Sequence, residues 1–275
     1  MVTGLDVTRV SKWFDTREGR VPALDSVELR IERGQFVTVI GPTGCGKSTL
    51  LRIVAGLLEA DSGSVSIFGE SPPDAAAAKR IGFVPQSPAL LPWRTVLDNV
   101  RLPFQVNRKA RPAKDGAGHA GGGVDADEGH RDPVKVLESF GLGGVLGRKP
   151  RQLSLGMRQR VAIARAFVFD PSILVMDEPF SALDELTREH QRHELLDVWQ
   201  SNRKTVLFVT HSVTEAIALA DKVVVMSGPP GRVRAVLPVD LPRPRGELLE
   251  VTDAFHEMER RVRAELRGAW HDRQP

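Results

Sequence analysis

Cysteine is almost missing from this chain and tyrosine wholly so: its 275 residues include one Cys, Cys45, and no Tyr. A lone thiol excludes an internal disulfide and a cysteine-based zinc cluster, and it fits a reducing cytoplasm. Long apolar runs are also missing. Segments such as 173–176 and 223–226 are strand-sized, far below the ~18 to 20 residues of a membrane-spanning helix. The opening MVTGLDVTRVSKWFD carries charges where a secretory leader is apolar, so secretion is not expected. Neither sign of charge dominates, with 38 Lys and Arg against 35 Asp and Glu, evenly spread for a net charge of +3. The concentrated basic footprint of a nucleic-acid binder is therefore absent, and no nucleic-acid partner is expected.

What is present is enough apolar material, 41% of the residues, to fill a core. Residues 35–40 form a strand-like run between the turn signals Arg33-Gly34 and Gly41-Pro42. Leu50, Ile53, Val54, Leu57 and Leu58 then keep the spacing of one helix face. Further short runs at 81–84, 173–176, 206–209 and 223–226 read as strands, the last two separated by a helical pattern around 215–220. Strands alternating with helices predict an α/β fold whose mostly parallel sheet is covered on both faces. Between 85 and about 158 the texture changes to prolines and helix-like segments, with a low-complexity stretch at 109–131 that contains Gly121-Gly122-Gly123. That stretch reads as a flexible surface loop, or alternatively as a regulatory or partner-binding insert. Beyond 228 a strand and extended loop lead to an amphipathic helical tail around 255–266, and no internal repeat is found.

Chemistry begins at Gly41-Pro42-Thr43-Gly44-Cys45-Gly46-Lys47-Ser48-Thr49, which fits G-x-x-x-x-G-K-[ST] and lies between a predicted strand and a predicted helix, the context of a phosphate-binding P-loop. Its backbone amides would cradle phosphates at a helix N-terminus. Lys47 would reach the β- and γ-phosphates, and the Ser48 hydroxyl would ligate Mg²⁺. Cys45 reads as incidental, since the backbone does the binding. A second acidic element is Ile173-Leu-Val-Met-Asp177-Glu178-Pro179. Asp177 ends a buried strand and can hold Mg²⁺ through water. Glu178 faces away from it by strand alternation and can act as general base toward a water.

The run Leu153-Ser154-Leu155-Gly156-Met157-Arg158-Gln159-Arg160-Val-Ala-Ile-Ala-Arg165-Ala166 opens on a serine suited to an N-cap, whose following amides present a positive helix end. It resembles the LSGGQ signature and following helix of ABC-type ATPases. In that family the signature end meets the γ-phosphate held by the opposite copy, so the resemblance assigns Ser154 and Gly156 to ATP across a dimer. It also implies that Gln86 is the Q-loop glutamine, which touches Mg²⁺ and the attacking water and senses the membrane subunit. Asp184, in Ser181-Ala182-Leu183-Asp184, matches the D-loop aspartate of the dimer interface, and His211 the switch histidine on the γ-phosphate. Val10-Ser-Lys-Trp13-Phe14 resembles the segment that stacks on adenine, with position favouring Phe14 over Trp13. Residues 90–100, Gly231-Arg-Val and 239–245 narrow the resemblance to ATPase subunits of nitrate, sulfonate and taurine importers.

The resemblance implies a RecA-like P-loop NTPase core over 1–87 and 158–231, with an antiparallel N-terminal β region. An inserted α-helical signature subdomain would occupy 88–157 and a C-terminal extension 232–275. It further implies an ATPase at the cytoplasmic face of the membrane, working as a head-to-tail dimer on separate permease subunits with an external substrate-binding protein. A repair or translation ATPase of the same class is disfavoured by the single P-loop, the single cysteine and the lack of sustained heptads. A weakly hydrolysing regulatory module is disfavoured by Asp177, Glu178 and His211. Leu155 and Met157 depart from LSGGQ. Leu155 is expected either to crowd the opposing phosphate or to restrict a backbone that glycine takes freely, and so to slow turnover; the alternative is that it simply packs against neighbouring side chains.

Overall fold

The computed structural model describes residues 3–17, 19–107 and 131–271. Apart from Arg131, the expected loop at 109–131 lies outside the described residues. The elements are β1 (Thr3–Thr16), β2 (Gly19–Glu32), β3 (Phe36–Ile40), α1 (Lys47–Val54), β4 (Ser62–Ile67), α2 (Pro72–Ala77), β5 (Ile81–Val84), α3 (Val96–Val100), α4 (Leu102–Gln105), α5 (Pro133–Ser139), α6 (Leu155–Phe167), β6 (Ile173–Asp177), α7 (Glu185–Asn202), β7 (Thr205–Val209), α8 (Val213–Leu219), β8 (Lys222–Ser227), β9 (Arg232–Pro238) and α9 (Asp253–His271). They form two compact units, one of Met1–Asp74 with Thr205–Pro275 and one of Ala75–Lys204.

In the first unit β1 pairs antiparallel with β2 on one side and β4 on the other. A second group runs β7-β3-β8-β9, in which β3 is parallel to both β7 and β8 while β9 returns antiparallel. The parallel members FVTVI, TVLFV and KVVVMS are apolar and almost entirely buried, as strands covered on both faces must be. Edge strand β9 instead alternates between exposed and half-buried residues. Because β3 and β7 run parallel in the register Val39 to Val209, the loops after them leave from one end of the sheet, where α/β proteins place their ligands. The helical tail is real and longer than its pattern implied: Phe255, Met258, Val262 and Ala269 of α9 join Ile217, Ala218, Val223 and Val225 in one buried cluster.

Helix α1 is shorter than the sequence pattern. It stops at Val54 because Gly56 turns to φ +69°, with the Leu57 amide donating back to the Arg52 carbonyl at 2.8 Å. Leu57, expected on the buried face, is 63% exposed.

In the second unit β5 and β6 pair in parallel from Ile81–Ile173 to Val84–Met176. Helices α3 to α6 intervene between them in sequence. A Cβ on Gly82 would sit 2.6 Å from the Ala166 carbonyl oxygen, so glycine lets α6 close on β5. Buried Asn99 on α3 accepts from the Leu91 amide at 2.8 Å and donates to the carbonyls of Leu91, Arg94 and Thr95, which pins the segment leading into α3. No helix among the described residues is long and apolar enough to cross a membrane.

Candidate functional site

The first unit builds the phosphate loop between β3 and α1. Gly44 and Gly46 take φ of +78° and +90°, values that side-chain-bearing residues rarely adopt. A Cβ on Gly46 would also meet the Ala23 carbonyl oxygen at 2.6 Å, and one on Gly41 the Met226 carbonyl oxygen at 2.6 Å. The loop is thus a narrow backbone cradle walled by β2 and β8. Lys47, the first residue of α1, is buried, and its Nζ donates to the carbonyls of Gly41 at 2.9 Å and Pro42 at 3.0 Å. This folds the ammonium back across the loop that precedes it. Cys45 is fully buried with its Sγ 3.9 Å from Lys47 Nζ, while Thr43 is exposed and Ser48 and Thr49 are half-buried. A two-glycine cradle, a helix start and a buried ammonium suit a nucleotide's phosphates.

His211 is exposed two residues beyond β7, at the same sheet end as the loop. The turn that presents it is fastened internally. Thr210 donates its hydroxyl to buried Glu215, the Ser212 amide donates to Thr210 Oγ1 at 3.0 Å, and Ser212 caps α8 by accepting from the Glu215 amide at 3.3 Å. Thr210 and Glu215 were missed by sequence reasoning. The available signal was the S-x-x-E spacing of Ser212 and Glu215, a capping-box pattern. Here the glutamate's carboxylate accepts from Thr210, and its amide donates to the Ser212 cap.

Phe14 is 42% exposed near the end of β1, so it is a surface aromatic and not a core residue. Lys12 Nζ stands 5.9 Å from its ring centre, whereas the Trp13 ring is covered by the Arg20 guanidinium at 4.9 Å. This arrangement favours Phe14 as the open ring.

The second unit carries the acidic and signature residues. Asp177 closes β6 and is buried. Glu178 follows at φ +44°, so it leaves the strand through a left-handed turn, and its direction is not set by strand alternation as the sequence had suggested. Its carbonyl accepts from the Ser181 amide at 3.2 Å, and Pro179 and Phe180 after it are buried, which holds the strained residue in place. Gln86 is exposed two residues past β5, the strand paired with β6. Ser154 caps α6, its hydroxyl accepting from the Met157 amide at 3.2 Å. Gly156 is buried against α7, where a Cβ would stand 3.3 Å from Thr187 Cγ2. Asp184 caps α7, accepting from the Thr187 amide at 3.0 Å and hydroxyl at 2.8 Å, and these hydrogen bonds hold its carboxyl below the usual carboxylate range. Leu155 is the first residue of α6, half-buried and without positive φ, so the expected backbone restriction is not found. Asp177 and the Ser48 hydroxyl are the oxygen donors that Mg²⁺ prefers.

A glycine cradle with a buried lysine after a central parallel strand, and an aspartate-glutamate pair closing another, define a P-loop nucleoside triphosphatase. Residues 24–181 match the family model described as ABC transporter. The chain is 43% identical over 245 residues, 89% of itself and 85% of the relative, to the uncharacterized ABC transporter ATP-binding protein MJ0412 of Methanocaldococcus jannaschii. It is 39% identical over 259 residues, 94% of each, to the aliphatic sulfonates import ATP-binding protein SsuB of Bacillus cereus. Among solved structures it resembles the dimeric ABC transporter cassette MJ0796, with a TM-score of 0.71 and 30% identity over 86% of this chain and all of that one. The same cassette in a post-hydrolysis state bound to ADP and Pi gives a TM-score of 0.70. The chain belongs to the ABC transporter family, as an ATP-binding subunit that hydrolyses ATP to ADP and phosphate to drive transport.

Proposed function

We propose that this subunit powers an importer of a small anion, with alkanesulfonates the first candidates and taurine and nitrate the others. It acts as a head-to-tail pair of copies on separate permease subunits, at the cytoplasmic face of the membrane, with an external binding protein delivering substrate. The observation that carries this reading is the reach of the likeness to the sulfonate-import protein. It extends over 94% of both chains, well beyond the 24–181 segment shared with the whole family.

Within each copy the glycine cradle and the start of α1 bind the nucleotide's phosphates, and Lys47 exchanges its loop carbonyls for the β- and γ-phosphate oxygens. Phe14 offers its open face to adenine. Bound Mg²⁺ supplies neutralisation of phosphate charge, and Ser48, Asp177 and Gln86 are the residues that would hold it. Glu178 takes the proton of the attacking water as general base, Gln86 orients that water, and His211 contacts the γ-phosphate. The partner subunit's Ser154 and Gly156 present the positive start of its α6 to the same phosphate, and Asp184 shapes the boundary between the two copies.

The test is uptake by the full transporter, reconstituted in vesicles from this chain, its permease and its binding protein. Uptake of an alkanesulfonate that requires ATP and is lost with Lys47→Ala supports the reading. ATP hydrolysis with no uptake of alkanesulfonate, taurine or nitrate would contradict the substrate class.

A further inference from the structure

Arg243 and Arg245 stand in the sequence as two charges of a proline-rich stretch. In the structure Arg245 is only 4% exposed. Its Nη1 donates to the carbonyls of Ile217 at 3.0 Å, Ala218 at 3.1 Å and Ala220 at 2.7 Å, and its Nη2 to Val239 at 3.5 Å and Leu241 at 3.4 Å. Burial, then the nearby Arg243 charge, push its guanidinium down to about 10, which still leaves it charged at neutral pH. Arg243 donates from Nη2 to the Leu219 carbonyl at 2.7 Å and, through Nε and Nη2, to Asp221 Oδ1 at 3.0 and 2.8 Å.

These bonds complete an account that every helix end requires. The last four carbonyls of α8 have no partner within the helix proper. Ala216 accepts from the Ala220 amide and from Thr38 Oγ1 of β3, at 3.3 and 3.2 Å. Ile217 and Ala218 accept from Arg245 and Leu219 from Arg243, so two tail arginines serve the other three. Cations here also suit the negative end of the helix dipole. Below α8, Phe255, Met258 and Val262 of the tail share an apolar cluster with Ile217 and Ala218. The opposite end of this short helix is the Thr210–Glu215 turn that presents His211.

We propose that Arg245, supported by Arg243, is a positioning residue. By gripping the C-terminal carbonyls of α8 it fixes the helix that presents His211, and so sets the rate of the chemical step without setting nucleotide affinity. The inference rests on the reading of His211 as the γ-phosphate contact. Seven helical residues rising ~1.5 Å each make a rod of about two turns, so loosening one end displaces the other. A displacement of about 1 Å at a reacting group can cost on the order of 100-fold in rate.

The test is a double-mutant cycle on the purified full chain, with MgATP hydrolysis and binding of a fluorescent ATP analogue as readouts. Arg245→Gln is expected to lower kcat about tenfold while analogue affinity stays within about twofold, and to change the residual rate of His211→Ala by less than about twofold. Arg245→Lys, which keeps the charge with fewer donors, recovers part of the loss. Should Arg245→Gln fail to fold, the same cycle with Arg245→Lys decides the matter: a loss confined to the His211 background supports the clamp. An unchanged kcat, a parallel fall in affinity, or the same loss in the His211→Ala background overturns it. Full kcat in His211→Ala alone removes the histidine reading itself, a failure distinct from a dead His211→Ala beside an unaffected Arg245→Gln.

Discussion

Leu155 stands where the family signature has glycine, yet it opens α6 as an ordinary helical residue behind the Ser154 cap. Any effect on turnover must come from the isobutyl group itself, half-buried at the start of α6. We predict that Leu155→Gly raises the ATPase rate of the assembled transporter, and costs up to about 1 kcal/mol of stability because glycine is a poor helix former. Equal rates would mean that the leucine does not crowd the site. Residue placement was legible where motif spacing is fixed: Lys47 opens α1, Ser154 caps α6 and His211 follows β7. Residue direction was less so. Glu178 turns through φ +44°, a conformation costing about 1–3 kcal/mol for a side-chain-bearing residue, and alternation along β6 could not have revealed it.

Among elements, the buried strands were legible because β3, β6, β7 and β8 are continuous apolar runs bounded by turn residues. Helix ends were not: the apolar spacing continued through Leu57 and Leu58, but Gly56 ended α1 first. The joints of the second unit show a further layer that patterns omit. Asp170, just past α6, pairs with Arg131 ahead of α5 at 2.8 Å and with Lys204 after α7 at 3.0 Å. Burial pushes the Asp170 carboxyl up, but the Lys204 and Arg131 charges outweigh it and hold the group below its usual range. A depressed folded-state pKa contributes stability above the unfolded value, about 3.9, and that contribution is lost as pH falls through the folded value. Asp170→Asn should therefore lower the urea midpoint at pH 7, with the gap to the natural chain closing below about pH 4. A gap that persists undiminished in acid would contradict the ion-pair account.

On the scale of the whole molecule, absent features narrowed the reading first. An even charge distribution argued against nucleic acid, and no apolar run reaches the length of a membrane-spanning helix. The tail was only half legible: periodicity announced α9, whereas the seating of Arg243 and Arg245 on helix carbonyls was not visible, since composition does not show which arginines fold inward. We predict that an ATP-bound pair of copies needs Glu178 to hydrolyse ATP. The measurement is phosphate release from MgATP by the full chain and by Glu178→Gln, with nucleotide binding and molecular mass followed in the same samples. Glu178→Gln should bind ATP, form a stable dimer and lose hydrolysis by about 10²–10⁴-fold, whereas hydrolysis at the natural rate would contradict the account.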